Sequence, residues 1–443
     1  MRIAYLVDRF PSLSETFIAH EVIDMIDAGA DIRVLSLGRP KDSFALPEHV
    51  KALDIVTYFP FPPSSRRKKL RGMAMAGLRM IRRGQLRSLR RCLFDRDNGG
   101  FSRHEMLLLA DAVNDPRWWP QIIHCHFGTV GRLAAMMKHK GLTRAKITTT
   151  LHGYGISKYM RQNPDGIYDL LIREAEHIFT VCEVFLSRIR ALGAPKEKTS
   201  VLHMGVDYDG LIAGAAPRRR HDSLHWISVG RMTEKKGHEY AIRGFAQALR
   251  ANPKLRMTFS IVGDGPLLPK MKALVEQLGM EQHITLLGAV QHDEVQALLA
   301  QADGFILHSV TADDGDMEGI PVALMEAMAR GLPVVTTRHS GIPELVEHEV
   351  TGFLVEERNE AALAKILGDI GTQRLDLSKL VEAAWMAVKR DFNRTIQTQR
   401  LYRFFETILG ARLEINQTLR PKNRLAPSKS AAAPLPQATP RQH

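Results

Sequence analysis

Thirteen short apolar, β-branched runs alternate with longer helical stretches along this chain, and that alternation limits the fold more than any other feature. The runs lie at 2–8, 31–37, 55–59, 121–127, 146–152, 177–182 and 199–206, then at 224–230, 255–263, 284–288, 304–309, 333–337 and 352–355. Strand–helix alternation calls for parallel sheets covered by helices on both faces. Thirteen strands overfill one twisted sheet, and 443 residues exceed one ordinary core. Two doubly wound, Rossmann-like α/β domains follow, with a ligand cleft at the carboxyl ends of their strands. The boundaries expected are 1–206 and 207–390, with segment 207–222 (Gly214-Ala-Ala-Pro217 and three arginines) as the linker. Residues 391–412 are expected to hold a last amphipathic helix around Leu401–Leu409. The tail 413–443 has little to bury and is expected to be disordered.

Composition narrows the function classes. No run of about 18 uncharged apolar residues exists to span a bilayer. Arg2-Ile-Ala-Tyr-Leu-Val7 runs straight into Asp8-Arg9, as a buried strand does and a signal peptide does not. Cys92, Cys125 and Cys182 are far apart and odd in number, giving neither a disulfide framework nor zinc spacing, and a reducing cytosol suits them. The net charge of +13 is uneven: residues 66–91 hold eleven Lys/Arg and no acid, and residues 415–443 hold five and no acid. These segments supply +16, which leaves about −3 on the remainder.

The densest chemistry is in Met317-Glu-Gly-Ile-Pro-Val-Ala-Leu-Met-Glu-Ala-Met-Ala-Arg-Gly331. Pro321 suits the first position of a helix and Gly331 its end. Glu318 then lies in the loop before a helix N-terminus, and Glu326 about a turn and a half inside the helix. The open N–H groups between them form an anion site. Two acceptors flanking a phosphate cradle match a sugar nucleotide, although an ordinary i,i+4 ion pair between Glu326 and Arg330 accounts for one of them equally well.

Other strand ends carry complementary groups. Gly230 and Arg231, then Lys236, offer close backbone approach, a guanidinium fork and a point charge for a departing diphosphate. Gly263-Asp-Gly-Pro266 follows another strand, as a bare tight turn or as a loop lining the same cleft. Gly288 ends a strand that can present backbone to a base. Thr148-Thr-Thr-Leu-His152-Gly153 ends a strand in a histidine that serves equally as a polar cap. His124 and His126 share one face of their strand; a metal pair is conceivable, but no third ligand is suggested nearby. Asp314-Gly-Asp316 fits a divalent-ion grip on a diphosphate.

Taken together, Gly230-Arg231…Lys236-Gly237, Gly263-Asp-Gly-Pro266, Glu318/Glu326 and Gly341-Ile-Pro-Glu-Leu-Val346…Thr351-Gly-Phe-Leu354 resemble the C-terminal domain of family 4 glycosyltransferases. The similarity reaches to about residue 410. Phe10-Pro-Ser-Leu-Ser-Glu-Thr-Phe17 and Asp314-Gly-Asp-Met-Glu-Gly-Ile-Pro-Val322 are similar to the bacterial exopolysaccharide, colanic-acid-type transferases. The resemblance implies the GT-B fold, two Rossmann-like domains facing a deep cleft with a C-terminal helix returning to the N-terminal domain. It implies a retaining, metal-independent hexosyl transfer from a UDP-hexose or GDP-mannose donor, by front-face displacement in which the departing phosphate helps to deprotonate the acceptor. Arg231 and Lys236 would hold the diphosphate, Glu326 the ribose and Glu318 the donor sugar. The backbone of Gly230, Gly263, Gly288, Gly319, Ile320 and Val322 would line the nucleotide, and His152 would face the sugar. Relatives carry glycine where Pro321 stands, and an acidic residue where Tyr154-Gly155 follows His152-Gly153. Ser14 and Thr16 stand where other members have a glycine-rich loop, and His124/His126 match a structural or acceptor-side strand end.

The basic insertion 62–95 bears on partners. On one helix, Leu78, Ile81, Leu86, Leu89 and Leu93 fall on one side, and Arg79, Arg83, Arg87, Arg90 and Arg91 on the other. Such a segment lies on an anionic membrane surface, here the inner face of the plasma membrane, where a polyprenyl-diphosphate-linked glycan acceptor resides. A solvated basic helix packed on the N-terminal domain is the plainer alternative. Nucleic-acid binding is disfavoured, since no aromatics interleave the arginines and the body is not basic. A catalytically dead scaffold fits poorly with intact motif residues.

Overall fold

The computed structural model describes residues 1–12, 15–40, 43–59, 65–95, 97–213, 223–372 and 375–410. Most of the linker, Ser14 and the tail expected to be disordered lie outside the described residues.

Two parallel sheets carry the thirteen strands. The first comprises β1 (Arg2–Arg9), β2 (Asp31–Gly38), β3 (Val56–Tyr58), β4 (Ile122–His126), β5 (Lys146–Leu151), β6 (His177–Thr180) and β7 (Thr199–Val201), in the order β3-β2-β1-β4-β5-β6-β7. The second comprises β8 (Leu224–Val229), β9 (Met257–Val262), β10 (Ile284–Gly288), β11 (Gly304–Leu307), β12 (Val334–Thr337) and β13 (Phe353–Val355), in the order β10-β9-β8-β11-β12-β13. In each sheet the order reverses once, at β1/β4 and at β8/β11, and a crevice opens at the strand ends there. The central strands are buried on both faces: Ile122 to His126 are all buried, as are Gly304 to Leu307. That is why these runs read as nearly continuous apolar stretches.

The chain crosses back after the second sheet. Val206 pairs with segment 392–394 in an isolated bridge, Val206 N–H donating to Phe392 O and Arg394 N–H to Val206 O. Helix Arg394–Ile408 then packs on helix Thr16–Asp27 of the first half, where Arg394 Nε donates to Asp24 at 2.9 Å. Leu401 and Phe405 complete the core beneath β1.

The basic insertion departs from the expected single amphipathic helix. It is two helices, Arg66–Arg82 and Leu86–Phe94, broken at Gly84, whose φ of 71° leaves the right-handed helical region. Acids from the following segment capture two of the arginines: Arg79 bonds Asp111 at 2.6 Å, and Arg83 bonds Asp111 at 3.0 Å and Asp115 at 3.6 Å. Arg91 donates to Lys140 O at 2.7 Å. Leu89 and Leu93 pack inward with Ala76, Met80 and Cys92. Leu78, Ile81 and Leu86 are about half exposed or more (48%, 51% and 60%), as is Leu70 at 57%. The expected apolar and basic faces are therefore each divided between core and solvent.

Candidate active site

The loops that follow β8 and β9 meet at the β8/β11 crevice. Gly230 ends β8 with the Lys236 stem against it; a Cβ there would stand 3.2 Å from Lys236 Cδ. Gly263 is more tightly constrained: its φ is 141°, and a Cβ would lie 2.0 Å from Gly230 O. The two loops are further tied by Met232 N–H donating to Asp264 O and Leu267 N–H to Met232 O. The Gly263-Asp-Gly-Pro266 turn is thus part of the Arg231 loop's support. Arg231 itself is exposed, and its guanidinium makes no hydrogen bond or ion pair with a described residue.

Glu318 faces the same loop with only 12% of its side chain exposed. Its carboxylate sits between Lys236 Nζ at 3.0 Å and Lys235 Nζ at 3.3 Å. Burial opposes its ionisation, but the two ammonium groups prevail and hold its pKa down at about 2. Lys235 also bonds Asp316 at 3.1 Å. Burial works against the Lys235 charge, and Glu318 and Asp316 outweigh it, raising its pKa. Sequence reasoning singled out Lys236 and missed Lys235, although the two are adjacent.

The Glu318 backbone N–H donates to His339 Nε2 at 3.0 Å, and the other ring nitrogen bonds Glu357 at 2.6 Å. A neutral His339 accepting at Nε2 must carry its proton at Nδ1, which the Glu357 carboxylate accepts. His339 and Glu357 also escaped sequence reasoning; only the position of His339 just beyond β12 marks it. The N–H groups of Gly319, Ile320 and Val322 have no acceptor among the described residues, so the anion-binding donors expected there are open. Helix Val322–Ala329 starts one residue later than expected: Pro321 is its N-cap, because its ψ of 126° is extended. Gly288, with φ of 71° and open space beside its Cα, closes the crevice by accepting the Gly263 N–H.

Glu326 lies on helix Val322–Ala329, half-buried beside Gln296 and Arg330. Burial lifts its carboxyl to about 7, only partly offset by those two neighbours. Asp314 and Asp316 are both taken by lysines: Asp314 by Lys158 of the first half, and Asp316 by Lys235.

On the opposite wall, His152 ends β5 with 7% exposure, between the rings of Phe17 and Phe127, each 4.8 Å away. Its Nε2 is 3.1 Å from His126 Nδ1, and His126 Nε2 is 3.3 Å from Glu21 Oε1. The third group near the histidine pair, not expected from the sequence, is Glu21: its carboxylate and the ring nitrogens of His124 and His126 lie within 4.8 Å of one another. All three are engaged in hydrogen bonds. His124 bonds Thr148 Oγ1 at 2.8 Å, and Glu21 accepts the Tyr5 hydroxyl at 2.9 Å. Thr16 opens helix Thr16–Asp27.

The two walls touch. A Cβ on Gly153, next to His152, would lie 2.4 Å from Met317 O, next to Glu318. A Cβ on Gly319 would lie 2.6 Å from Val181 Cγ2 of the first half. Only glycine permits these approaches, and they bring the end of β5 at His152 beside the loop that carries Glu318.

The Glu326 carboxyl makes one prediction independent of any ligand. A folded pKa near 7 against an ordinary 4.5 means that the folded chain holds the proton more tightly, so this group lowers stability as pH rises between those values. Glu326→Gln should melt about 1–3 °C above the wild type at pH 8 and converge with it near pH 5. An equal difference at both pH values would contradict the buried, proton-holding carboxyl.

Comparison with known proteins agrees with this architecture. Residues 15–205 match the model of the glycosyl transferase 4-like domain, and residues 215–384 that of glycosyl transferases group 1. The chain is 34% identical over 411 residues to the putative colanic acid biosynthesis glycosyltransferase WcaL of Escherichia coli K12, covering 90% of this chain and 98% of that protein. It is 32% identical to the amylovoran biosynthesis glycosyltransferase AmsK of Erwinia amylovora, covering 92% and 100%. Among solved structures, a glycosyltransferase of Rickettsia africae superimposes with TM-score 0.66 at 17% identity (92% and 98% covered). Anabaena HepE in complex with UDP-glucose gives 0.65 at 19% (92% and 100% covered). The chain belongs to the family 4-like glycosyltransferases of GT-B fold, beside the bacterial exopolysaccharide enzymes.

Proposed function

We propose that the protein transfers a hexose, with retention at the anomeric carbon, from a UDP-hexose or GDP-mannose donor to a polyprenyl-diphosphate-linked glycan during surface polysaccharide synthesis. The observation that carries this reading is the contact of Gly153 with Met317, which brings the end of β5 at His152 beside the loop that carries Glu318 and its two lysines. Arg231 and Lys236 hold the diphosphate, with the open amides of Gly319, Ile320 and Val322 beneath it. Glu326 binds the ribose, Glu318 and His152 contact the sugar, and Gly230, Gly263 and Gly288 let the nucleotide approach the backbone. The donor's C1–O bond breaks with its electron pair passing to the β-phosphate oxygen. The acceptor oxygen bonds C1 on the same face, and its proton passes to that departing phosphate. Growing negative charge on the diphosphate is where the cations act. In this reading transfer needs no metal, which the lysine partners of Asp314 and Asp316 support.

Product NMR from donor and glycan should show the donor's anomeric configuration retained. EDTA should leave transfer unchanged, while Arg231→Ala or Lys236→Ala lowers it about 10²-fold or more. Loss of activity with EDTA, and little effect of Arg231→Ala, would restore the metal reading of Asp314 and Asp316.

The acceptor's location rests on the 66–94 helix pair. Leu70, Leu78 and Ile81 form an outward apolar strip, flanked by exposed Arg67, Arg71 and Arg82, and Leu86, Arg90 and Phe94 continue it. An anionic lipid surface satisfies both halves of this strip. A symmetric contact with a second copy would set cation against cation. The protein accordingly works in the cytoplasm, docked at the inner face of the plasma membrane. Vesicles containing anionic lipid should bind it, and Arg87→Ala with Arg90→Ala should weaken binding on the order of tenfold. Equal binding to neutral vesicles, or no binding to either, would remove the membrane from the account.

A further inference from the structure

Behind His152 runs a line of buried polar groups that the transfer chemistry above does not use. Tyr5, on β1, is fully buried and donates its hydroxyl to Glu21 Oε1 at 2.9 Å. Glu21, on helix Thr16–Asp27, faces His126 Nε2 at 3.3 Å, and His126 Nδ1 faces His152 Nε2 at 3.1 Å. His126 is 1% exposed and His152 7%. The three contacts join strands β1, β4 and β5 to the first helix, so the line is fixed by the centre of the sheet and not by mobile loops. The cavity that it borders is lined by Phe17, Thr150, His152, Met204, Gly205 and Arg394 among others.

Hydrogen-bond direction along the line is read outward from Glu21. Burial disfavours charge on Glu21, yet His126, His124 and the Tyr5 hydroxyl together hold its carboxyl at about 2. A carboxylate only accepts, so His126 must present Nε2–H to it. With its one ring proton committed to Glu21, His126 accepts at Nδ1, and His152 then donates from Nε2. The remaining nitrogen of His152, Nδ1, has no hydrogen-bond partner among the described residues.

We infer that Glu21 and His126 are positioning residues that lock His152 in its Nε2–H tautomer, so that Nδ1 meets the bound sugar as a hydrogen-bond acceptor. This rests on the reading that His152 contacts the donor sugar. It adds a selection rule: the group opposite Nδ1 is a hydroxyl that donates, and a sugar with an acceptor-only group there is refused. Neither residue touches substrate. Their effect travels through the proton on one ring nitrogen, as second partners orient histidines elsewhere.

Long-range ¹H–¹⁵N spectra of the histidine-labelled, UDP-bound protein test this, with the His152 signals assigned by their loss in His152→Ala. The wild type should show His152 protonated at Nε2 and bare at Nδ1. Glu21→Gln and His126→Gln should mix the tautomers and lower kcat roughly 10–100-fold, with donor KM within about twofold. The wild-type spectrum decides the matter even if those variants fold poorly. A proton on Nδ1 in the wild type overturns the proposal, as does stoichiometric transition metal bound at Glu21, His124 and His126. Unchanged tautomer and kcat in the folded variants also overturn it. If His152→Ala binds UDP and transfers sugar at the wild-type rate, the role of His152 falls and this proposal with it, while the diphosphate site stands.

Discussion

The cleft is organised around one buried carboxylate. Glu318 holds Lys235 and Lys236 at 3.3 and 3.0 Å in a setting where charge is otherwise disfavoured, and the lysines in turn make its ionisation favourable. Lys235 and Lys236 balance Glu318 and Asp316, so the excess positive charge at the end of β8 comes from Arg231. Breaking such a partly buried group by removing one member leaves an uncompensated charge, which is why each member constrains the others. Arg231 stands outside the cluster, exposed and without a partner among the described residues, which leaves its guanidinium open to an anion beside lysines already held in place. The His339–Glu357 pair fixes the Glu318 backbone from behind, and the site is positioned before any ligand arrives.

That arrangement depends on the two halves approaching without side chains between them. Gly153 against Met317 and Gly319 against Val181 are backbone-to-neighbour contacts that any Cβ would obstruct. Lys158 reaching Asp314 adds a charged tie across the same seam. Because these contacts flank both His152 and Glu318, the geometry between the two walls is tied to the packing of the halves. The GT-B architecture thus shapes the candidate site through the residues next to His152 and Glu318.

Much of this was legible in the sequence, for definable reasons. Parallel strands buried on both faces leave continuous apolar runs, and each of the thirteen runs contains a strand. The run 199–206 reads too long because only Thr199–Val201 is strand; beyond it the chain leaves the sheet for the crossover at Val206. Arg231, Lys236, Glu318 and Glu326 were visible because they sit at strand ends and helix starts with recognisable spacing. Lys235 was not, since adjacent lysines look alike until one is seen bonding two acids. Glu21 lies 105 residues from His126, and no local pattern announces that contact. The basic insertion shows the limit most clearly: periodicity gave its faces, but Asp111 and Asp115 decide which arginines turn inward, and their pairing is tertiary.

The central claim is that Arg231 and Lys236 recognise the second phosphate of the donor. Calorimetric titration of UDP against UMP, or GDP against GMP if the base is guanine, isolates that contribution in wild type, Arg231→Ala and Lys236→Ala. The account predicts that the wild type favours the diphosphate by at least tenfold, and that either variant removes most of that preference while monophosphate affinity changes little. Variants that weaken monophosphate and diphosphate equally, or that retain the preference, would contradict it.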